Sequence, residues 1–521
     1  MGYRKFFIMM VLLVLMSSIA ALVAPSLINI WIRDGGGITI NQIFILFIVL
    51  IIALIFQLGL TFYREKFAKD FNIRNAKNML LDFLNLNYDE IQDKGPTNFI
   101  ERIAIAVNSY YEYFTECYIN IWSSVLIVIV ILGMIVFKNW IIALLLSLLI
   151  PVNYFGYKFL NKELMNRSKI LQESTSSGWQ EIISVAGQTD HLKQCSDYDM
   201  VISQFHPSLN KIYDSMANIN IYAQVSSKVL SSVNQIAQVI IMAMVVYDFM
   251  INHLDPTALI LYSIILPMYF SNMSIIVRSN LNKRDMKNSR AFISEMKANA
   301  EKTGTKTIDS INEVVIDIPM LEMKDKVLAK DINGTYHKGD IVWIRGDSGA
   351  GKSTLVKLIP KFRITDKILI NGVDIREVSN KSLRSRVDYL SQNVPIIKGT
   401  LGDNLFFNKQ YTKEQELQFI NDPILQTILK DKAMNSLINE NGTNLSGGER
   451  QKIAIARALY DDVDVLILDE VTSNIDKQSA ADIYNRILQN HNNKIIFIIS
   501  HDDLPGSITT HSLFLNKSVN S

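Results

Sequence analysis

Gly346-Asp347-Ser348-Gly349-Ala350-Gly351-Lys352-Ser353-Thr354 fits G-x-x-x-x-G-K-[ST] at every constrained position. Its glycines let the backbone curl so that successive N–H groups converge on phosphate oxygens. Lys352 adds a point charge, and the Ser353 hydroxyl suits Mg²⁺. Residues 340–344 before it are apolar and β-rich, as a buried parallel strand is, and residues 355–359 after it read as helix up to Pro360. Strand, glycine loop and helix in this order make a phosphate cradle, and the expected ligand is a nucleotide.

The chain around the cradle divides by composition. Its 521 residues exceed one ordinary domain. Apolar residues make up 49% of it, and the long apolar runs lie before about residue 280. A net charge of +2, with no lysine and arginine block interleaved with aromatics, leaves no nucleic-acid footprint. Cys117 and Cys195 stand apart from each other and from any His or Cys at metal spacing, so they read as small buried or neutral residues.

Residues 6–32 carry no charge over 27 positions, about 40 Å of helix, more than a ~30 Å hydrocarbon slab and too long for a cleaved leader. Further uncharged runs occupy 38–63, 117–137, 140–157, 229–247 and 257–277, giving six spans. Lys138-Asn139 is a tight hairpin between two of them. The long polar stretches 63–116 and 158–228 each hold seven lysines and arginines, whereas the opposite turns hold only Arg33 and Lys138. The positive-inside rule therefore puts the long loops, the N-terminus and everything after the sixth span in the cytoplasm.

Gln57, Asn120, Asn153, Asn234, Gln235, Gln238 and Asn272 interrupt the apolar runs, with Tyr262 and Tyr269 on the sixth. Bonding between helices accounts for most such residues, and lining a cargo cavity is the other reading. No acidic or basic residue sits mid-span, so a proton- or ion-coupled relay has little to stand on and the energy is expected to come from elsewhere.

After the cradle, Val465-Leu466-Ile467-Leu468-Asp469-Glu470 is an apolar strand ending in two carboxylates. Asp469 can hold Mg²⁺, and Glu470 can polarise the water that attacks a γ-phosphate. Leu445-Ser446-Gly447-Gly448-Glu449-Arg450-Gln451 opens a helix whose first N–H groups can receive a second phosphate.

That last run resembles the signature of ABC transporter ATPases. Gln392, in Leu390-Ser391-Gln392-Asn393, resembles the family's Q-loop, Ser473-Asn474-Ile475-Asp476 its D-loop, and His501 its switch histidine. The resemblance implies catalytic roles for Glu470, His501 and Gln392, and Mg²⁺ contacts by Ser353, Gln392 and Asp469. It also implies ATP held by residues 346–354 and capped by Ser446, Gly447, Gly448 and Asp476 of a second subunit in a head-to-tail dimer.

With the six spans, the chain resembles an exporter-type half-transporter. The fold this implies is a membrane α-helical bundle of six transmembrane helices fused to an α/β P-loop NTPase domain of ABC type. Residues 1–290 form the membrane domain, 291–306 the linker and 307–521 the nucleotide-binding domain. Residues 92–102 and 180–188 are similar to the regions that couple the two. The implied protein is an ATP hydrolase and translocase in the bacterial inner or plasma membrane. It pairs with an identical copy, contacts membrane lipid and exports a substrate, a small peptide being the favoured cargo. A lipid flippase or multidrug exporter is the alternative within the class, and an ATP-gated regulator or channel the alternative outside it. No peptidase domain precedes the first span, so trimming of a peptide cargo is not expected of this chain.

Two departures stand out. Residues 304–335 contain no aromatic and no histidine where members carry a ring for the adenine base; Pro319-Met320-Leu321 occupies the place. Met320 or Leu321 packing on the base predicts relaxed preference between ATP and GTP. Glu449 stands where Gln is common, without an expected loss of activity.

Overall fold

The computed structural model describes residues 3–33, 39–252, 256–323, 326–407, 411–472, 475, 477–489, 492–500 and 509–516. The chain falls into two compact units, Met1–Ala300 and Glu301–Ser521. The expected architecture, a helical bundle followed by an α/β domain, is the one adopted.

The first unit is built from α1 (Tyr3–Arg33), α2 (Ile40–Leu84), α3 (Tyr88–Lys94), α4 (Pro96–Glu112), α5 (Tyr118–Val136), α6 (Trp140–Ala186), α7 (Thr189–Gln194), α8 (Tyr198–Asn252) and α9 (Pro256–Ala298). Among the described residues, five helical stretches are long and apolar enough to cross a membrane. To these α1 adds the 6–32 run. At 1.5 Å per residue α2, α6, α8 and α9 measure about 65–80 Å, more than twice the ~30 Å slab. Each therefore carries one apolar stretch and one polar extension without a break, which residue patterning reads as a span followed by a separate loop helix.

Local chemistry sets the ends. Asn139 caps α6 by accepting from the N–H groups of Ile141 and Ile142, so the Lys138-Asn139 hairpin forms as expected. Thr39 and Gln42 form a capping box at α2. Gly95, at φ 78°, turns the chain from α3 into α4, where Pro96 fits the first turn. α4 joins α5 through a π-turn at Tyr113–Cys117, an extra residue that apolar periodicity cannot register. Phe6, Phe67 and Phe114 pack tightly across that junction. Inside the bundle the buried amides of Asn153 and Asn234 exchange two hydrogen bonds, 2.9 and 3.0 Å, and the Tyr269 hydroxyl donates to the Leu146 carbonyl at 2.7 Å. These polar residues bind helix to helix.

In the second unit β1 (Glu313–Met323) and β2 (Lys326–His337) form a long antiparallel hairpin. β2 escapes sequence patterning because its outer face is polar. β3 (Ile341–Gly346) leads through the glycine loop into α10 (Lys352–Val356). α10 is shorter than the expected run to Pro360: Leu358 and Ile359 already donate to the third residue back, to Leu355 and Val356, and proline has no N–H to extend the ladder.

Next come β4 (Ile368–Ile370), β5 (Val373–Asp374), α11 (Asn380–Arg384), β6 (Val387–Leu390), β7 (Gly399–Thr400) and α12 (Leu401–Phe406). They are followed by α13 (Lys413–Ile420), α14 (Gln426–Leu429), β8 (Leu437–Ile438), α15 (Gly447–Tyr460) and β9 (Val465–Asp469). α16 (Lys477–Gln489), β10 (Ile495–Ile499) and β11 (His511–Leu515) complete the unit.

Five strands form a parallel sheet in the order β11-β3-β10-β9-β6. β9 and β10 are buried along their whole length, as strands covered on both faces require. The C-terminal ends of β3, β9 and β6 share one edge of this sheet, and that edge gathers the chemistry.

The segment between the bundle and the sheets is ordered on both sides. Within the first unit α9 stays helical to Ala298, Asn299 accepts from the Asn87 N–H, and Lys94 pairs with Glu90 and Glu295. Within the second, Glu301 takes a two-pronged bond from Arg384, at 2.8 and 3.1 Å, and Arg384 also donates to the carbonyls of Pro360 and Lys361.

Candidate functional site

The glycine loop leaves β3 at Gly346, whose φ of 143° no other residue adopts cheaply; a Cβ there would lie 2.5 Å from the Leu515 carbonyl oxygen. At Gly349 (φ 80°) nothing stands within 4 Å of where a Cβ would be, so the loop's concave side is open at that point. Ala350 is buried, anchoring the far side, and its N–H closes a turn on the Asp347 carbonyl at 3.1 Å. Asp347 and Ser348 are exposed on the rim. Lys352, 8% exposed, lays its ammonium across its own loop, donating to the carbonyls of Gly346 at 2.7 Å and Asp347 at 3.1 Å.

Ser353 follows on the first turn of α10 and donates to Asp469 Oδ1 at 3.1 Å, joining the loop to the end of β9. The other carboxylate oxygen of Asp469 accepts from the Tyr389 hydroxyl at 2.8 Å. Tyr389 lies on β6, paired in parallel with β9. Asp469 is only 5% exposed and makes no ion pair among the described residues. A carboxylate that accepts from two hydroxyls keeps spare lone pairs, and with the Ser353 oxygen it makes an all-oxygen donor set of the kind a hard cation such as Mg²⁺ fits.

Glu470, the next residue, has φ 56°. A left-handed glutamate costs on the order of 1–2 kcal/mol, and such outliers concentrate at working sites. Its N–H donates to the Ile499 carbonyl on β10, which fixes the turn. Gln392 is exposed two residues beyond β6, on the same edge of the sheet.

Ser446 caps α15 reciprocally with Glu449: its hydroxyl accepts from the Glu449 N–H at 3.2 Å and its own N–H donates to the Glu449 carboxylate at 2.7 Å. Glutamate serves this box as well as glutamine does, which accounts for the departure at 449. Burial pushes the Glu449 carboxyl pKa up, but the Ser446 N–H and hydroxyl and the Lys432 ammonium outweigh it and hold the group below its ordinary value. Gly447 and Gly448 begin the helix. Among the described residues no hydrogen bond ties Ser446 to the glycine loop of its own chain. Asp476 and His501 lie outside the described residues.

The base-side expectation narrows. Leu321 is 4% exposed and its Cδ2 would lie 3.1 Å from a Cβ on Gly351, so it is committed to packing under the loop. Met320 is half exposed and free to meet a base. Met323 adds its sulphur, 3.8 Å from the Thr354 hydroxyl and 3.5 Å from Arg363 Nη1. Tyr389 is the residue that sequence reasoning missed, its only signal being a polar tip three places before Gln392.

The ABC transporter family profile matches residues 329–473, which takes in the cradle, the signature helix and the β9 carboxylates. An ATP-dependent lipid A-core flippase of Vibrio vulnificus is 27% identical over 410 residues; the match covers 71% of this chain and 66% of that protein, just under two thirds. ATP-dependent lipid A-core flippase 2 of Colwellia psychrerythraea is 24% identical over 474 residues, covering 87% of this chain and 80% of that one. The corresponding flippase of Wigglesworthia glossinidia brevipalpis is 29% identical over 445 residues, covering 78% and 73%. The solved structure of a bacterial Atm1-family ABC exporter with ATP bound shares the fold, with a TM-score of 0.87 over 98% of this chain and 93% of that one, at 17% identity. Residues 329–473 are therefore an ABC transporter domain, and the multi-pass chain has the fold of a half-transporter, one helical membrane unit fused to one ATP-binding unit, and is similar over most of its length to ATP-dependent flippases.

Proposed function

We propose that the chain is an ATP-driven exporter whose cargo is a lipid or lipid-like amphiphile, working as a head-to-tail homodimer with its ATPase units in the cytoplasm. The observation that carries the reading is the meeting of Ser353, the residue after Lys352, with the buried Asp469 at the end of β9. Ser353, Asp469 and Gln392 would hold Mg²⁺, which when bound supplies charge neutralisation for the phosphates. Lys352 and the loop N–H groups bind the β- and γ-phosphates. Glu470, fixed by its strained backbone, orients the attacking water, and His501 contacts the γ-phosphate. The α15 N-terminus at Ser446, Gly447 and Gly448, with Asp476, caps ATP held by the other copy. ATP thus favours the closed dimer, which opens again after hydrolysis.

Amphipathic cargo is supported by the bundle. A recess of ≈ 680 Å³ among α5, α6 and α9 is lined almost wholly by apolar groups such as Val125, Ile129, Leu132, Met273 and Ile276. The relatives above are named as lipid flippases, and none of them favours the small peptide expected from sequence. The test is ATP hydrolysis in nanodiscs, comparing the wild type with Glu470→Gln while lipid, peptide and drug pools are added in turn. Hydrolysis abolished in the variant and raised by lipid alone supports the reading; stimulation by peptide alone overturns the cargo, and activity equal in both proteins overturns the catalytic role of Glu470.

A further inference from the structure

Ser353 and Thr354 are consecutive on α10 and so point about 100° apart around it. Ser353 meets Asp469 at the end of β9, next to Glu470, where the terminal phosphate reacts. Thr354 turns away from that edge, and its hydroxyl lies 3.8 Å from the Met323 sulphur at the end of β1. A triphosphate whose reacting end lies at Asp469 sends its nucleoside out past Thr354, so Met323 borders the base and not the phosphates.

Arg363 closes the same border. Its Nη1 is 3.5 Å from the Met323 sulphur, and a thioether accepts only weakly, so the contact aims the guanidinium. The chain that carries it is anchored on both the core and the site. Lys361, 4% exposed and at φ 57°, donates to the carbonyls of Arg376 and Val378 at 3.2 and 2.9 Å. The Phe362 N–H donates to the Lys357 carbonyl at 3.1 Å, and the Phe362 ring stands edge-on to Tyr389, which holds Asp469. Arg363 itself is half-buried. With its root fixed and its side chain partly covered, it loses less freedom on meeting a ligand than a mobile surface arginine does.

Residues 304–335 offer no ring to stack on a base, and Met320 and Met323 offer apolar contact that is the same for every base. A guanidinium does discriminate. Its two parallel N–H donors match O6 and N7 of guanine, whereas adenine carries an amine in place of O6 and sets donor against donor. We propose that Arg363 reads the O6 and N7 edge of the bound base, so that the cradle prefers GTP to ATP. The phosphate contacts are common to both nucleotides, and ATP still binds through them. The relaxed preference expected from the missing ring thereby acquires a direction and a residue. This assignment rests on the reading of the cradle as a nucleoside triphosphate site.

The full chain in nanodiscs, without Mg²⁺ so that no turnover occurs, is titrated with ATP, GTP, ITP and 7-deaza-GTP in competition with radiolabelled ATP. GTP and ITP both present O6 and N7, and they are expected to bind at least about five-fold tighter than ATP. The 7-deaza analogue lacks N7 and should lose most of that advantage. Arg363→Ala should bring all four to within about two-fold of one another, and Arg363→Lys, which keeps the charge but not the fork, should do nearly the same. Thermal unfolding of each variant and its retained ATP affinity report on folding. GTP no tighter than ATP in the wild type, a GTP-to-ATP ratio unchanged in Arg363→Ala, or 7-deaza-GTP equal to GTP would overturn the assignment. So would a uniform loss for all four that Arg363→Lys restores, which would put the guanidinium on the phosphates. A chain that binds ATP and fails this test loses only the reading of the base, whereas one that binds none of the four loses the nucleotide site as well.

Discussion

Tyr389→Phe removes one oxygen and leaves the ring, which packs edge-on against Phe362 at 5.7 Å between centroids. What is lost is the 2.8 Å hydrogen bond into a carboxylate that is 5% exposed and, among the described residues, otherwise held by the Ser353 hydroxyl. A hydrogen bond to a charged group contributes about 1.5–3 kcal/mol, a factor of roughly 10–150 in an equilibrium constant. Removing the partner that orients a metal-binding carboxylate typically costs about 10–100-fold in metal affinity. The two routes agree, so the half-saturating Mg²⁺ concentration for ATP hydrolysis should rise about ten- to a hundred-fold in Tyr389→Phe, with the rate at saturating Mg²⁺ changed by less than about three-fold. The assay is steady-state hydrolysis by the full chain in nanodiscs at fixed ATP across a Mg²⁺ titration, with Ser353→Ala as the more severe reference. A Mg²⁺ curve that superimposes on the wild type would refute the reasoning, whether or not the maximal rate falls. The Asp469–Tyr389 bond would then be a packing contact only.

Glu449→Ala should cost about 1 kcal/mol through loss of the capping box, whereas Glu449→Gln keeps it; thermal unfolding measures both. Because the folded Glu449 pKa is depressed, its charge-dependent contribution is complete above the unfolded value, near 4.5, and lost as pH falls through the folded one. The wild type should therefore lose stability relative to Glu449→Gln only on the acid side. Asn153→Leu and Asn234→Leu should each destabilise the bundle by about 0.6–2 kcal/mol, and the double variant by less than their sum, since it leaves no orphaned amide; additive losses in a double-mutant cycle would contradict the pairing. Arg384→Lys keeps the charge but not the fork on Glu301, so a loss of about 1–3 kcal/mol is expected, discounted for partial exposure. Unfolding of the full chain indistinguishable from wild type would mean that the Glu301 anchor is idle.

Residues 346–354 are legible in the sequence because backbone curvature is encoded locally by Gly346, Gly349 and Gly351, each at positive φ. Asp469 and Glu470 are legible because an apolar run delivers them to a strand end. Tyr389 is not, since its partnership with Asp469 depends on β6 and β9 lying side by side, an outcome of sheet order that no window of residues contains. The amides Asn153 and Asn234 stood out individually as polar interruptions, but their mutual bonding depends on how α6 and α8 rotate against each other. The π-turn before α5 and the continuity of α2 and α6 through span and extension were likewise unreadable, because apolar periodicity stops where the lipid stops while the helix does not. Glu449 shows the reverse: it looked like a departure from the expected signature and proved to be the reciprocal half of the Ser446 cap.

The central claim is that hydrolysis at Glu470 drives an amphipathic lipid across the membrane. Its most direct test reconstitutes the purified chain, alone, into vesicles containing phosphatidylethanolamine labelled on an acyl chain, and follows the leaflet of the label by quenching from outside. Lipid movement that needs both ATP and Mg²⁺, and vanishes in Glu470→Gln although that variant still binds ATP, is the predicted result. Movement equal in the variant, or equal without nucleotide, would contradict the claim.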